Sequence, residues 1–524
     1  METIKKIFAL LICTAMTLSM SACGSSTDGL DGDGVPESTR GKDVERAASA
    51  DNLFSLNSNV NYSFNPVIAT NHSNQLVCNL VYENMVELDN NFEAIPNVLE
   101  SWIANDDATY WTFTVAKGHY FSDGTEVSGK DIRYSLDAAI NSDRYRGRIS
   151  SYQGSGYDED RFYVTLGIGD TQFVKLLNIP IIKIGSYDDK KPMGSGPYKY
   201  NEDETELVIN EYYPSASTLP VDRVPLVEYS DAASIISAFD DGIIDVVTND
   251  PSSYTNLGYA STNEIHNFAT TNLHYVMFNE ETPVAQNSGF RQAMNYAFDR
   301  ANWVSLMHGN GVAANVPMYP TASAYPATFA SKLNYNLETV KLVLENSGIK
   351  DYDEDGRLEY MSGSPQKINI NFIVCSDSSA KTGVVKHFQS DMESIGLKVT
   401  VNELTWDEYL LALEEGNFDM YYGEVKLRAN FDLSELLDPE GSLNFSRSKD
   451  KAFLTYINNY LAAPDATRSI IYQQLCEYVA GTGALIPIGF EQQQIILHRG
   501  VVKGVNANLG NPLYDFPNWK IDLG

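Results

Sequence analysis

The chain has 524 residues, 43% of them hydrophobic and 11% aromatic, and its 69 Asp and Glu outnumber 37 Lys and Arg for a formal net charge of −32. So negative a chain repels nucleic acid and anionic lipid headgroups, which excludes nucleic-acid binding and any membrane contact made through a basic patch. Beyond residue 46 roughly 478 residues remain, enough for two or three domains of ~150 residues each.

At the start, Lys5 and Lys6 precede an apolar run from Ile7 to Met20, and the small pair Ser21-Ala22 precedes Cys23. The run is shorter than the ~20 residues of a comfortable membrane span, so residues 1–22 read as a secretory signal peptide. Cys after a small pair resembles the lipobox of bacterial lipoproteins, with Met20 where Leu is usual, and the expectation is a lipid on Cys23. Residues 23–46 are rich in Gly, Ser and Asp with almost nothing apolar, the composition of a flexible tether. The protein is thus expected outside the cytoplasm, attached to the cell membrane through its lipid alone. Cys78, Cys375 and Cys476 are odd in number and far apart, and read as buried small apolar residues.

Thr109–Val115 alternates and is rich in β-formers, which predicts a strand. Ser128, with Asp131 three positions on, opens a helix whose apolar face carries Ile132, Leu136 and Ala139. Further helices are predicted over Ala232–Asp240, Phe290–Met307, Leu337–Asn346, Thr382–Ser394, Thr405–Glu415, Lys449–Leu461 and Ala466–Val479. Between them lie short β-rich runs at Ile243–Thr248, Lys367–Val374, Leu397–Leu404, Phe418–Lys426 and Leu485–Phe490. Strands alternating with helices predict an α/β fold with parallel, doubly wound sheets.

Motifs for chemistry are incomplete. Gly124 to Asp131 follows a phosphate-binding loop until its last position, where Asp131 replaces the hydroxyl that would hold magnesium. Asp351, Asp353, Asp355 and Gly356 begin a calcium loop, but Ser362 stands where its bidentate Glu belongs; a solvated acidic turn or a weak calcium site, helped by Glu359, both fit. The seven His never fall at metal-ligand spacing, and neither Gly-Ser-Gly run extends to a nucleophile elbow. No enzyme, cofactor or metal is expected. One stretch does suggest a site: in Tyr421–Arg428 (YYGEVKLR), Glu424, Lys426 and Arg428 alternate with Val425 and Leu427, so that a continuous strand would put three charges on one face. At the carboxyl end of an α/β sheet such a cluster would meet a zwitterionic solute; an edge strand with a wet face is the alternative.

These landmarks resemble, in order, the family 5 solute-binding proteins of ABC importers, the oligopeptide- and dipeptide-binding type. The resemblance rests on Leu80–Met85 (LVYENM), Ile95–Trp102 (IPNVLESW), Trp111–Ser135, Gly194–Tyr198 (GSGPY), Ala238–Asp245 (AFDDGIID), Arg291–Arg300 (RQAMNYAFDR), Gly348–Gly356 and Trp406–Asp419. It implies a two-lobed periplasmic-binding-protein-like fold of the large type, with a hinge between the lobes. Residues 47–84, 185–276 and 488–524 would form one lobe, 85–184 a small domain inserted in it, and 277–487 the other lobe.

The resemblance also implies a monomer that encloses a small solute, a peptide above all, and delivers it to ABC permease subunits. An oligosaccharide, a metal chelate or an opine-like compound are the alternatives within the fold, and a secreted hydrolase the remote one. By the same resemblance, Trp406 stands where peptide binders have a pocket-lining Trp, and Leu427 replaces a second. Asn430 stands where many have the Asp that pairs with the peptide's amino terminus, and Phe431 matches the Tyr after it. Asp432 or Glu424 would then supply that countercharge. With Tyr422, Lys426 and Arg428 these complete the expected ligand-binding set.

Overall fold

Local signals act where the sequence places them. Asp131 Oδ2 accepts a hydrogen bond from the Ser128 N–H at 3.1 Å and starts the helix Gly129–Asn141, which buries Ile132, Leu136 and Ala139. Glu408 Oε2 accepts likewise from the Thr405 N–H at 3.0 Å, and the helix Trp406–Glu415 ends on Gly416 in the left-handed conformation at φ 76°. The carboxylate that spoils the phosphate-loop pattern, Asp131, is therefore a helix cap. The computed structural model describes residues 52–149, 151–250 and 263–523. The signal peptide, Cys23 and the tether lie outside the described residues.

Eleven strands form one sheet. Counting only its members in chain order, they are β1 (Leu56–Ser58), β2 (Tyr198–Tyr200), β3 (Glu206–Ile209), β4 (Arg223–Glu228), β5 (Val246–Asn249), β6 (Glu264–Phe278), β7 (Gly311–Ala313), β8 (Asn369–Cys375), β9 (Lys398–Leu404), β10 (Met420–Lys426) and β11 (Leu485–Leu497). Their order is β9-β8-β10-β6-β11-β5-β1-β4-β3-β2, with β7 added on β11.

The sheet is mixed, which corrects the expectation of parallel sheets. Parallel pairing is confined to β8 with β9 and β10, and to β1 with β4 and β5. The long central strands β6 and β11 pair antiparallel with each other, and β10 pairs antiparallel with β6. Parallel neighbours need a crossover helix between them, as Ser379–Ser394 supplies between β8 and β9. β6 and β11, 15 and 13 residues long, instead pair in opposite directions at the middle of the sheet, which needs no crossover helix.

A second, four-stranded antiparallel sheet is built from Leu99–Ala104, Tyr110–Val115, Tyr152–Tyr157 and Arg161–Leu166. Its strand Tyr110–Val115 buries Trp111, Phe113 and Val115, the alternation legible in the sequence. One continuous core joins this sheet, its helix Gly129–Asn141 and the chain's carboxyl-terminal Phe516 and Trp519. Two others lie against the strands from β6 onward. Cys78, Cys375 and Cys476 are buried and unpaired. Among the described residues no helix is long and apolar enough to cross a membrane.

The predicted helix Phe290–Met307 is two helices, Ser288–Ala293 and Arg300–Leu306, linked by a short 3-10 turn. Asp299 breaks it. Its carboxylate accepts hydrogen bonds from the N–H groups of Ala301 and Asn302, both at 3.0 Å, and so starts a new helix instead of continuing the old one.

Candidate functional site

The main cavity, of about 690 Å³, opens beside the carboxyl end of β10. The helix His72–Val81 and the segment Asp143–Arg148 contribute to its walls, as do Thr271 of β6, Gln493 of β11, and Val425 to Arg428. Its volume suits a small solute.

Of the residues singled out from sequence, the structure brings Lys426, Leu427, Arg428 and Asp432 to this cavity. β10 ends at Lys426, so Arg428 lies beyond the strand. Arg428 is already engaged: its guanidinium pairs with Asp432 through Nη1 and with Glu435 through Nη2 at 2.8 Å. The structure places the other five elsewhere. Asn430 is buried, donating to Asp170 Oδ2 at 2.9 Å while its carbonyl accepts from the Tyr460 hydroxyl at 2.7 Å. Burial pushes the Asp170 carboxyl up to about 6, against the hydrogen bonds of Gln172 and Asn430. Phe431 packs edge-on against Phe92 and Phe490. Trp406 is 58% exposed on its helix and stacks on Tyr409. Tyr422 is buried against His274, and Glu424 pairs with Lys381 at 2.6 Å.

The cavity's electrostatics come from residues that the strand pattern did not reveal. Arg144 and Arg148 line it together with Lys426. Arg144 donates to the carbonyls of Pro66 and Ala69 at 2.7 and 3.2 Å, and Arg148 to that of Asn178 at 2.5 Å. Both guanidiniums lie over the Tyr145 ring, at 5.2 and 4.5 Å. Among the described residues, no carboxylate lies within ion-pair distance of Arg144, Arg148 or Lys426. Lys426 faces the water of the cavity but is ringed by protein. That surrounding burial, and then Arg148 and Arg144, push its ammonium down to about 8. His72 is lowered too, by burial first, with Lys426 and Arg144 adding to it against Asp250. The available signal was Arg144, Arg146 and Arg148 within five residues of a chain so short of basic groups.

The acidic turn contains its own cation. Asp351 accepts from the backbone N–H groups of Asp355 and Gly356, and the Lys367 ammonium pairs with Asp355 and lies 3.8 Å from Asp353.

A family model, "Bacterial extracellular solute-binding proteins, family 5 Middle", matches residues 93–438, about two thirds of the chain. The chain belongs to the family 5 solute-binding proteins. Members of this family are extracytoplasmic receptors that hand their solutes to ABC permeases, not enzymes. The family 5 protein is similar to the oligopeptide-binding protein AppA of Bacillus subtilis, 22% identical over 387 residues, which span 68% of this chain and 69% of that one. It is similar also to heme-binding protein A of Haemophilus influenzae, 22% identical over 536 residues and 92% and 94% of the two chains. Its fold matches that of NikZ from Campylobacter jejuni, solved in complex with Ni(L-His), with a TM-score of 0.64 at 18% identity, covering 89% of this chain and 99% of NikZ. The family 5 protein therefore has a two-lobed α/β fold that serves, in its relatives, solutes of quite different chemistry.

Proposed function

We propose that this protein is the receptor of an ABC importer for a small solute that carries a carboxylate or an equivalent anionic group. The observation that supports the reading is the meeting of Arg144, Arg148 and Lys426 in the cavity with no ion-paired carboxylate among the described residues, in a chain of net charge −32. Three cations held together repel one another and lose hydration, and a bound anion relieves both costs. The carboxyl terminus of a short peptide has this chemistry, as do carboxylate-bearing chelates and opine-like compounds. Neutral oligosaccharides lack it. The amino terminus of a peptide is served less well, because Asp432 and Glu424 are already paired with Arg428 and Lys381.

Thermal-shift and calorimetric screening of the purified chain tests the reading, since a specific ligand stabilises in proportion to its occupancy. Short peptides, metal–amino-acid chelates and opine-like acids are compared with their amidated or esterified forms and with neutral sugars. Stabilisation that disappears on masking the carboxylate is the expected result. Tight binding of a neutral sugar, or equal binding of free and amidated ligands, overturns it.

On the same reading, residues 47–84, 185–276 and 488–524 form one lobe carrying 85–184, and 277–487 the other. The monomer is held at the cell membrane by a lipid on Cys23, at the end of the signal sequence. In cells fed labelled palmitate, the wild-type chain takes up label and the Cys23→Ser chain does not. Label retained in the variant refutes the anchor.

A further inference from the structure

Three side chains from the central strands meet outside the lining of the cavity. His274 stands on β6, Glu424 on β10 and Glu491 on β11. His274 and Glu424 are direct register partners, so their side chains share a face of the sheet. Glu491 reaches the same place, and one ligand atom from each of the three lies within 4.8 Å of the others.

His274 and Glu491 are both fully buried, and each keeps one side-chain atom unpaired although the rest of its side chain is hydrogen-bonded. Among the described residues, the Nε2 of His274 and the Oε1 of Glu491 have no hydrogen-bond partner, while the Asp250 side chain hydrogen-bonds the Glu491 carboxylate. The separation of His274 Nε2 from Glu491 Oε2 is 3.6 Å, too long for a hydrogen bond. It is close to the ~3.4 Å edge between two ligands that sit ~2.0–2.2 Å from a tetrahedral ion. The surroundings hold the three groups in place. Tyr422 meets His274 Nδ1 at 3.0 Å, leaving Nε2 to face the cluster, as the outer partner of a ligating imidazole does. Asn272 donates to Glu491 Oε2 at 3.1 Å, and Lys381 holds Glu424 Oε2 at 2.6 Å.

Trp303 covers the imidazole, with ring centroids 5.2 Å apart. It fits there because Gly489 and Gly311 have no side chain; a Cβ at either would meet the indole, at 2.3 and 2.6 Å. The indole keeps solvent from one side of the cluster, where buried unsatisfied groups are otherwise rare. An imidazolium–carboxylate ion pair would explain the burial of His274 and Glu491. At 3.6 Å such a pair leaves Nε2 and Oε1 without a hydrogen bond inside the cluster, and both atoms are free to take a ligated ion.

We infer that His274, Glu424 and Glu491 form a site for one divalent cation of the zinc class, separate from the solute cavity. One imidazole nitrogen with two carboxylate oxygens suits a borderline ion such as Zn²⁺ better than Ca²⁺ or Mg²⁺, which favour oxygen alone. The ion ties β6, β10 and β11 together at the middle of the sheet. The inference does not depend on which solute the cavity takes.

The test is a titration of the full chain, stripped with EDTA, with ZnCl₂ alone, following heat of binding, melting temperature and metal content. One zinc ion per chain and a raised melting temperature are expected. Glu491→Gln should abolish the binding. Glu424→Gln should weaken it by at least the ~10–100-fold that loss of an outer partner costs. Because Glu424 is partly exposed and Lys381 keeps Asp377 as a second carboxylate partner at 3.0 Å, the metal-free Glu424→Gln chain should still unfold cooperatively, which separates lost binding from lost folding. No saturable zinc binding, or binding that both variants leave unchanged, overturns the site and leaves His274 and Glu491 as a plain ion pair.

Discussion

Lys426 illustrates how one residue changes meaning with its surroundings. In the sequence it is one of three alternating charges. In the structure its ammonium lies with two guanidiniums and is pushed down to about 8, chiefly by burial. Between that value and the ordinary lysine value the folded chain binds fewer protons at this site than the unfolded chain does, so stability without ligand rises with pH across the window. Affinity for an anionic solute has the opposite trend. A bound anion favours the charged ammonium, so affinity is full below about 8 and declines as pH rises above it. Lys426→Met should weaken an anionic ligand by about 1.5–3 kcal/mol, roughly 10- to 150-fold, as expected for a charge-assisted hydrogen bond. It should also flatten the pH dependence, and the melting temperature of the free protein should hold or rise as the repulsion from Arg144 and Arg148 is relieved. Calorimetry from pH 6 to 10 checks this. An affinity of Lys426→Met equal to wild type at pH 7 removes Lys426 from the site.

Individual elements were legible where local rules act alone. The capping boxes at Ser128 and Thr405 and the helices Ala232–Asp240 and Leu337–Asn346 fall where the sequence places them. Two kinds of element were misread, each for a stated reason. Asp299 looks like a polar position on a long helical face, but as a carboxylate ahead of free N–H groups it caps a second helix. β11 reads as Leu485–Phe490 because the run Glu491–Gln494 (EQQQ) is polar, yet the strand continues to Leu497. Those polar side chains face partners distant in the sequence: Gln494 donates to Asn310 Oδ1 at 2.9 Å and Glu491 accepts from Asn272. A hydrophobic pattern cannot register polar groups that tertiary contacts satisfy.

At the scale of the molecule, β6 and β11 are the long central strands of the sheet, and the resemblance implies hinges near residues 275–280, at the end of β6, and 486–490, on β11. Closure of two lobes on a solute should lower the radius of gyration; small-angle scattering curves that superimpose with and without a saturating ligand would refute it. By itself the sequence determined the extracytoplasmic reading, the α/β class, the family and most helices, because capping, alternation, composition and the order of motifs are all local or collinear with the chain. Only the tertiary structure decided the mixed direction of the sheet and the make-up of the cavity. Pairing direction depends on which distant strands become neighbours. Whether Asn430 faces Asp170 or a solute depends likewise on contacts 260 residues apart. The gathering of Arg144, Arg148 and Lys426, like that of His274, Glu424 and Glu491, joins residues that share no sequence window, and their chemistry comes from that proximity.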